Sequence, residues 1–289
     1  MAMARYVFVT PYYKEDPKFL KRCLESVKNQ SIVCDHILVA DGFPQKWIED
    51  AGVRHISLDK SHGDAGNTPR GLGALLAIAE GYDGIGLLDA DNWLERNHLE
   101  VCLDAANKLE GGIANCDFVI AQRHLRRIDD ESIMLVEEAV GHVDTSCFFF
   151  LPGSYSFLPH WSLMPKRVSA AGDRFFYAFI LQKNLRVATA SVKTVNYLNT
   201  YVYAYLDQGE IPPPGTKELP LGDFFDSVRM ASSPREAIIL NRLVGFEFFQ
   251  SSVSQPGIKI DSFQNLSSRN SLCSCGSGKK YKHCHGRSA

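Results

Sequence analysis

An apolar run that ends on two carboxylates occupies residues 84–92, which read GIGLLDADN. Its apolar part, residues 84–88, has the length and continuous hydrophobicity of a buried strand, and Asp89 and Asp91 come directly after it. Residues i and i+2 of an extended segment point the same way, so both carboxylates can face one ion. Carboxylate oxygens suit Mg²⁺ or Mn²⁺, and such an ion neutralises a diphosphate leaving group. A solvated turn that caps the next helix accounts for the same two residues and stays open as an alternative.

Strands and helices alternate around this run, from residue 5 to residue 121. Apolar runs predict strands at residues 6–9, 36–40, 53–58, 84–88 and 118–121. Helical spacing predicts helices at residues 17–30, 69–80, 94–109, 172–183 and 235–249. The second of these helices has Thr68 as its predicted N-cap and Pro69 at its first position. Continuous apolar strands between helices indicate an α/β fold with a mainly parallel sheet covered on both faces. Ligands bind such sheets at the carboxyl ends of the strands, where Thr10, Asp41 and Asp89 stand.

Composition limits the classes of protein to consider. The chain has 289 residues, of which 45% are hydrophobic and 22% charged, with a formal net charge of -2. This balance predicts no general affinity for nucleic acid or for an anionic membrane. We expect no signal peptide and no transmembrane segment, because no apolar stretch reaches about 18 residues. The cysteines outside the last 17 residues are scattered in apolar surroundings, which indicates reduced thiols and a cytoplasmic protein, with peripheral attachment to a membrane left open.

Four blocks in a fixed order carry a resemblance to a known family. The blocks are Thr10-Pro11-Tyr12-Tyr13, Val39-Ala40-Asp41-Gly42, residues 64–73 (DAGNTPRGLG) and Leu88-Asp89-Ala90-Asp91. Together they resemble the family-two glycosyltransferases of GT-A fold, over roughly residues 4–210. The resemblance implies a nucleoside diphosphate sugar as donor and a saccharide or other hydroxyl acceptor.

The same resemblance implies roles for individual residues. Tyr12 would stack on the base, because an aromatic face offers stacking with little loss of entropy. Thr10, Pro11 and Asp41 would bind the base and ribose, and Asp64 would add a base contact. Arg70 would reach the nucleotide end of the site, where its planar, permanently charged guanidinium suits pyrophosphate. Asp89 would belong to the nucleotide-sugar site as well as to the metal site with Asp91.

An inverting transfer also needs a general base on the acceptor hydroxyl. The family places a carboxylate at the start of a helix after an aromatic-rich loop, and Asp173 in Ala171-Gly172-Asp173-Arg174 fits that place. The common family version is Glu-Asp, whereas this chain has Gly172 before Asp173. An interaction of Asp173 with the helix dipole is the alternative. His142 and Asp144 form a second polar cluster, which either lines the acceptor pocket or lies on the surface. The late histidine that many members use as a metal ligand is missing from residues 195–205, so a third protein ligand is unassigned.

The last residues carry a separate pattern. Cys273, Cys275, Cys284 and His285 give three thiolates and one imidazole, a closed set that is typical of structural Zn²⁺. So short a segment needs the metal in order to fold. It resembles the SEC-C motif. We therefore predict a transferase domain at residues 1–250, a linker at 251–268 and a zinc-binding module at 269–289. Nearby lysines either dock a protein partner or keep the module soluble.

Two other functions deserve comparison. A nucleotidyltransferase would show a Gly-rich, basic phosphate loop after the first strand, and residues 10–15 (TPYYKE) are not such a loop. A catalytically inactive adaptor that works through its zinc-binding tail is the second alternative. Asp41, Arg70, Asp89 and Asp91 are all present, which argues against it.

Overall fold

A computed structural model describes residues 3–135, 143–218 and 224–251. The strands within these ranges are β1 (Tyr6–Tyr12), β2 (Asp35–Ala40), β3 (Arg54–Ser57), β4 (Gly84–Leu87), β5 (Trp93–Leu94), β6 (Phe118–Arg127), β7 (Phe148–Phe150), β8 (Val187–Asn199), β9 (Met230–Ala231) and β10 (Gln250–Ser251). The helices are α1 (Pro17–Lys28), α2 (Asn67–Ala79), α3 (His98–Asn107), α4 (His160–Leu163), α5 (Gly172–Leu181), α6 (Tyr203–Leu206), α7 (Phe224–Arg229) and α8 (Pro234–Val244).

Eight of these strands form one sheet in the order β3-β2-β1-β4-β7-β6-β8-β5. Strands β3, β2, β1 and β4 run parallel to one another, and β6 runs parallel to β8. Strand β7 lies antiparallel between β4 and β6, and β5 is antiparallel to β8. The prediction of a mainly parallel sheet flanked by helices is therefore confirmed. The parallel half places the ends of β1, β2 and β4 side by side.

The sheet is buried on both faces because its strands are continuously apolar. On one face, Val7 and Val9 of β1 pack in a cluster with Trp161 of α4 and Phe176 of α5. On the other face, Phe8 packs in a cluster with residues of α1 and α3. Period-two alternation along β1 produces this division. The core thereby fixes the strand ends that carry the polar residues.

Several element boundaries differ from the sequence-based expectations. Helix α2 begins at Asn67 with Gly66 as its N-cap, so the prediction of Thr68 as N-cap is wrong. The reason is that the Asp64 side chain accepts hydrogen bonds from Thr68, which lets the helix start earlier. Helix α8 ends at Val244, because Gly245 adopts a left-handed conformation with φ of 82°. Strand β6 continues to Arg127, beyond the strand predicted at residues 118–121.

Ser251 is the last described residue, so the rest of the predicted linker and the whole predicted zinc-binding module lie outside the described ranges. The described cysteines, Cys23, Cys34, Cys102, Cys116 and Cys147, form no disulfide with one another. Across the described residues, the helices are too short or too polar to span a bilayer.

Candidate active site

A cavity of about 460 Å³ opens at the carboxyl ends of β1, β2 and β4. Its walls come from these strand ends and from the loop that precedes α2. The predicted site residues that line it are Pro11, Tyr12, Asp41, Asp64, Arg70, Asp89 and Asp91. Tyr13, Glu15, Ser61, Gly63, Ala65, Gly66 and Ala90 complete the lining. The structure thus brings together residues from all four sequence blocks.

Thr10 does not line the cavity. Its side chain is fully buried, and its hydroxyl lies 2.8 Å from His36 Nε2, within hydrogen-bond distance. Burial lowers the pKa of His36 to about 3, so this imidazole is neutral. We therefore leave the Thr10 side chain out of the binding set, although the sequence blocks included it.

Tyr12 forms the floor of the cavity at the end of β1. Its hydroxyl is 2.7 Å from His55 Nε2 and accepts a hydrogen bond of 3.0 Å from the backbone N–H of Gln45. Burial raises the pKa of this hydroxyl, so it stays protonated. The ring also stacks on His55, with 5.8 Å between centroids. These contacts fix the ring rigidly, as an aromatic wall requires.

The Asp41 carboxylate holds the loop that follows β3. It accepts hydrogen bonds from the Ser61 hydroxyl (3.0 Å) and the backbone N–H groups of His62 (2.9 Å) and Gly63 (3.3 Å), and lies 2.9 Å from His62 Nδ1. Burial raises the pKa of Asp41, but the hydrogen bonds from His62, Ser61 and Gly63 outweigh it and bring the pKa below its ordinary value. Asp41 is therefore ionised, and it shapes one wall of the cavity through this loop.

Asp64 has one satisfied and one unsatisfied oxygen. Its Oδ2 accepts hydrogen bonds from the backbone N–H of Thr68 (2.9 Å) and from the Thr68 hydroxyl (2.5 Å). Its Oδ1 is buried and has no hydrogen-bond partner among the described residues. A buried carboxylate oxygen without a donor is costly, by about 1–3 kcal/mol or more. A ligand N–H or O–H in the cavity would supply the missing donor.

Arg70 lies on α2 and is only 3% exposed. One guanidinium nitrogen donates to Asp89 Oδ1 at 2.7 Å, and the other donates to Asn67 Oδ1 at 2.8 Å. The guanidinium carbon lies 4.7 Å from the centre of the Trp161 ring. The Nε atom is buried without a partner among the described residues. Neither Asn67 nor Trp161 could be predicted from the sequence as a partner of this arginine.

The acidic pair lies at the end of β4, as the sequence predicts. Asp89 bonds to Arg70, whereas the Asp91 side chain has no hydrogen-bond or ion-pair partner in the described part of the chain. Burial raises the pKa of Asp91 to about 7, and Asp89, Asp144 and Glu15 push it the same way. Arg22 donates to the backbone carbonyl of Asp91 at 2.8 Å and so fixes the main chain there.

The donor chemistry of this pair fits a divalent cation. Asp91 is surrounded mainly by other carboxylates, whose charges outweigh that of Lys217, and a bound cation would lower its pKa. The oxygens are hard ligands of the kind that Mg²⁺ or Mn²⁺ take. Within the described residues, however, no three Asp, Glu, His or Cys side chains stand close enough to hold a metal ion together. Two carboxylates leave the remaining positions to water and to ligand phosphate.

Ser146 and Asn92 support the loop that carries the acidic pair. The Ser146 hydroxyl accepts hydrogen bonds from the backbone N–H of Asp89 (3.1 Å) and from Asn92 Nδ2 (2.9 Å). Asn92 Oδ1 in turn accepts one from the backbone N–H of Leu198 at 3.0 Å. Both side chains are buried at 1% exposure. The sequence analysis missed this role, because the contacts join segments far apart in the chain.

Asp173 stands in the first turn of α5, where the sequence places it. Its Oδ1 accepts a hydrogen bond of 2.7 Å from the backbone N–H of Arg174. Burial raises the pKa of the nearby Tyr201 hydroxyl to about 12. The negative charges of Asp173, Asp91 and Asp144 add to this rise. Asp173 is not among the residues that line the cavity, and its role as general base stays a prediction.

Asp144, the second acidic candidate, is engaged in the structure. Its Oδ1 accepts from the backbone N–H of Ser146 (2.9 Å), and its Oδ2 pairs with Arg123 at 3.3 Å. A carboxylate that is buried and paired in this way is a poor proton acceptor. His142 lies outside the described residues.

An aromatic pair marks the mouth of the cavity. Tyr13, which lines it, packs edge-to-face against Phe43 with 4.8 Å between ring centroids, and both are about 40% exposed. The Lys14 ammonium lies 4.1 Å from the centre of the Phe43 ring. Exposed aromatic faces beside a cavity offer stacking surfaces. The adjacent Tyr12-Tyr13 pair in the sequence indicates this feature, although only Tyr12 was predicted to stack.

Family comparison agrees with the sequence blocks. The family described as Glycosyl transferase family 2 matches residues 7–164, more than half of the chain. The SEC-C motif matches residues 269–287 and so includes all four predicted zinc ligands. Among curated proteins, no sequence matches the chain.

Solved structures of one protein, S. aureus TarS, share the fold. The crystal structure of TarS 1-349 in complex with UDP-GlcNAc aligns with a TM-score of 0.51 at 12% identity, covering 91% of this chain and 78% of that one. The crystal structure of TarS aligns with a TM-score of 0.50 at 12% identity, covering 93% of this chain and 48% of that one. Another crystal structure of TarS 1-349 has 13% identity and a TM-score of 0.49, and the match covers 68% of this chain and 60% of that one. At this identity the likeness supports the α/β fold alone.

Proposed function

Because the chain belongs to glycosyl transferase family 2, we propose that it transfers a sugar from a nucleoside diphosphate sugar to an acceptor hydroxyl. One observation carries the proposal. Among the described residues, a single cavity is lined by Asp64, which has a buried carboxylate oxygen without a hydrogen-bond donor, by the buried Arg70, and by Asp91, whose side chain forms no hydrogen bond or ion pair and whose pKa is raised. A nucleoside diphosphate with a divalent cation would satisfy all three, since it brings base N–H groups, phosphate oxygens and the cation.

The nucleotide end of the ligand would lie against the ends of β1 and β2. Tyr12 supplies a fixed aromatic wall, and Pro11 lies beside it. Asp64 Oδ1 would accept a hydrogen bond from the base. Asp41 holds residues 61–63 in place, and a contact of its carboxylate with the ribose stays a prediction. A uridine nucleotide is the first to test, because a protein of the same fold is described in complex with UDP-GlcNAc.

The diphosphate end would lie at Arg70, Asp89 and Asp91. A bound Mn²⁺ or Mg²⁺ would supply Lewis-acid stabilisation of the departing diphosphate. In our proposal Asp89 and Asp91 hold that cation. The Asp89 carboxylate keeps Arg70 close to the same end of the cavity, with 2.7 Å between the bonded atoms.

The acceptor would approach from the side of α5, and we propose that the transfer is inverting. The acceptor oxygen forms a bond to the anomeric carbon as the bond from that carbon to the diphosphate oxygen breaks. Asp173 would take the proton of the acceptor hydroxyl as general base. Asp144 is the weaker candidate because it is already paired with Arg123.

The C-terminal residues would form a zinc-binding module, with Cys273, Cys275, Cys284 and His285 as ligands. The SEC-C match and the ligand chemistry support this assignment. We propose that the module recruits a protein partner or a macromolecular acceptor. The free, mostly buried thiols of the described residues agree with a cytoplasmic location.

Calorimetry tests the central proposal. Purified protein is titrated with UDP, GDP, CDP, ADP and dTDP, each with Mn²⁺ and again with EDTA. We expect heat of binding for one or two nucleotides, and only when Mn²⁺ is present. An absence of heat for every nucleotide would refute the proposed donor class and favour the adaptor alternative.

A further inference from the structure

The buried amide of Asn67 connects the two sides of the site. Asn67 is the first residue of α2 and is only 2% exposed. Its Oδ1 accepts a 2.8 Å hydrogen bond from one guanidinium nitrogen of Arg70, while the other nitrogen donates to Asp89 at 2.7 Å. Asn67 and Asp89 therefore hold the two ends of one guanidinium group.

Few other contacts keep that guanidinium in its orientation. Its Nε has no partner among the described residues, and its remaining support is the face of the Trp161 ring. On the far side of the amide, the one acceptor for Asn67 Nδ2 within the described ranges is the weakly accepting sulfur of Met164, at 4.0 Å. Without Asn67 the buried NH1 group would lose its acceptor, and the plane of the guanidinium could rotate away from Asp89.

The other neighbour of Asn67 is Gly172, at the start of α5. A Cβ atom on Gly172 would lie 2.9 Å from both the Nδ2 and the Oδ1 atoms of Asn67, closer than such contacts occur. The backbone does not require glycine here, because φ of Gly172 is −55° and any residue adopts that angle. The glycine is therefore explained by the space that the Asn67 amide occupies.

We propose that Asn67 is a positioning residue for the transfer reaction. It holds Arg70 against Asp89, and it sets how closely the first turn of α5, with Asp173, approaches that pair. The inference rests on the proposed function, since Arg70 and Asp89 are taken to meet the donor. In this proposal residue 172 is glycine because a side chain there would collide with the Asn67 amide.

A double-mutant cycle tests this role. The variants are Asn67→Ala, Gly172→Ala and the two combined, each assayed for donor Kd by calorimetry and for kcat and KM with the nucleotide sugar that the wild type accepts. Asn241→Ala is the matched control, because Asn241 is also buried and its side chain also makes several hydrogen bonds, but on α8. Unfolding temperatures are recorded for all five proteins.

We expect Asn67→Ala to lower kcat/KM about ten-fold or more, as loss of a hydrogen bond to a charged group implies. Gly172→Ala should act similarly in the wild type, yet change kcat/KM by less than about two-fold in the Asn67→Ala background, because the clash is then gone. Asn241→Ala should lower the unfolding temperature and leave kcat/KM unchanged. If Asn67→Ala does not fold, Gly172→Ala alone must still weaken donor binding, although Gly172 does not line the cavity.

Equal effects of Gly172→Ala in both backgrounds would overturn the inference. So would an Asn67→Ala variant with wild-type kcat/KM. In either case wild-type donor binding would leave the proposed function standing. A wild type that binds no nucleoside diphosphate would instead overturn the proposed function, and this inference with it.

Discussion

Replacing Asp91 by asparagine should make the metal-free protein more stable at neutral pH while it removes transfer. Burial, together with Asp89 and Asp144, raises the pKa of this carboxyl from 3.8 to about 7. A rise of this size corresponds to about 4 kcal/mol against the charged form. Asp91 is partly exposed, so screening by solvent reduces the cost, and we expect about 2 kcal/mol. Asparagine has nearly the same shape and carries no charge.

The sign of the pH dependence follows from proton linkage. The folded carboxyl binds its proton more tightly than the unfolded one, because its pKa is higher in the folded state. The free energy of unfolding of the wild type should therefore fall as pH rises from about 4 to about 7. The Asp91→Asn variant lacks this part of the fall. A cation bound at Asp89 and Asp91 would offset it in the wild type.

Urea unfolding in EDTA at pH 5, 6, 7 and 8 measures the difference between the two proteins. We expect the advantage of Asp91→Asn to grow by about 1 kcal/mol between pH 5 and pH 8, because part of the total of about 2 kcal/mol is already expressed below pH 5. Adding Mn²⁺ at pH 8 should then stabilise the wild type and leave the variant unchanged. Asp104→Asn, at an exposed position on α3, is the control and should stay within about 0.5 kcal/mol of the wild type throughout.

Two results would refute the reasoning. A stability difference that is constant from pH 5 to pH 8 would mean that folding does not raise the pKa of the Asp91 carboxyl in the metal-free protein. Equal stabilisation of both proteins by Mn²⁺ would mean that the cation binds elsewhere. Full transferase activity of Asp91→Asn would separately exclude Asp91 from the metal site.

Three further predictions follow from the site and the tail. Asp64→Asn should raise the Kd for the donor nucleotide about ten-fold, because the amide can place an N–H group where the N–H of the base needs an acceptor. An unchanged Kd in calorimetry would exclude the contact between Asp64 and the base. Asp173→Asn should lower kcat by about 100-fold or more and change the donor Kd little, because a base acts in the transition state; equal kcat would move the role elsewhere. Deletion of all residues after Ser268 should remove one zinc per chain by elemental analysis and leave transfer to a small acceptor nearly unchanged; protein isolated without zinc would refute the ligand set.

The alternation of strands and helices could be predicted from the sequence because it depends on local hydrophobic patterns. Strands β1, β2, β3, β4 and β6 and the helices between them occur in the expected order. The pairing partners could not be predicted in this way. Strand β7 inserts antiparallel between β4 and β6, and that choice depends on contacts between segments far apart in the chain. The two-residue strand β5 is too short to leave a pattern.

The site shows the same division between local and distant information. The rule that ligands meet the carboxyl ends of strands placed Asp41 and Asp89 at the cavity. The same rule wrongly placed the Thr10 side chain at the cavity. That side chain turns to the buried face beside His36 and Cys23. Nor could the rule show that the Asp41 carboxylate accepts hydrogen bonds from residues 61–63, because those donors lie on the loop after another strand.

Residue 172 shows why a departure from a family pattern needs the structure before it can be interpreted. In the sequence, glycine in place of the common glutamate only weakened the case for a base at Asp173. In the structure a side chain at this position would collide with Asn67, which also bonds to Arg70. The glycine and the asparagine thus form a pair, because the missing side chain at residue 172 leaves the space that the Asn67 amide occupies. The change at residue 172 therefore affects the neighbour of Asp173 and leaves the carboxylate itself in the first turn of α5, the place from which we propose that it acts as general base.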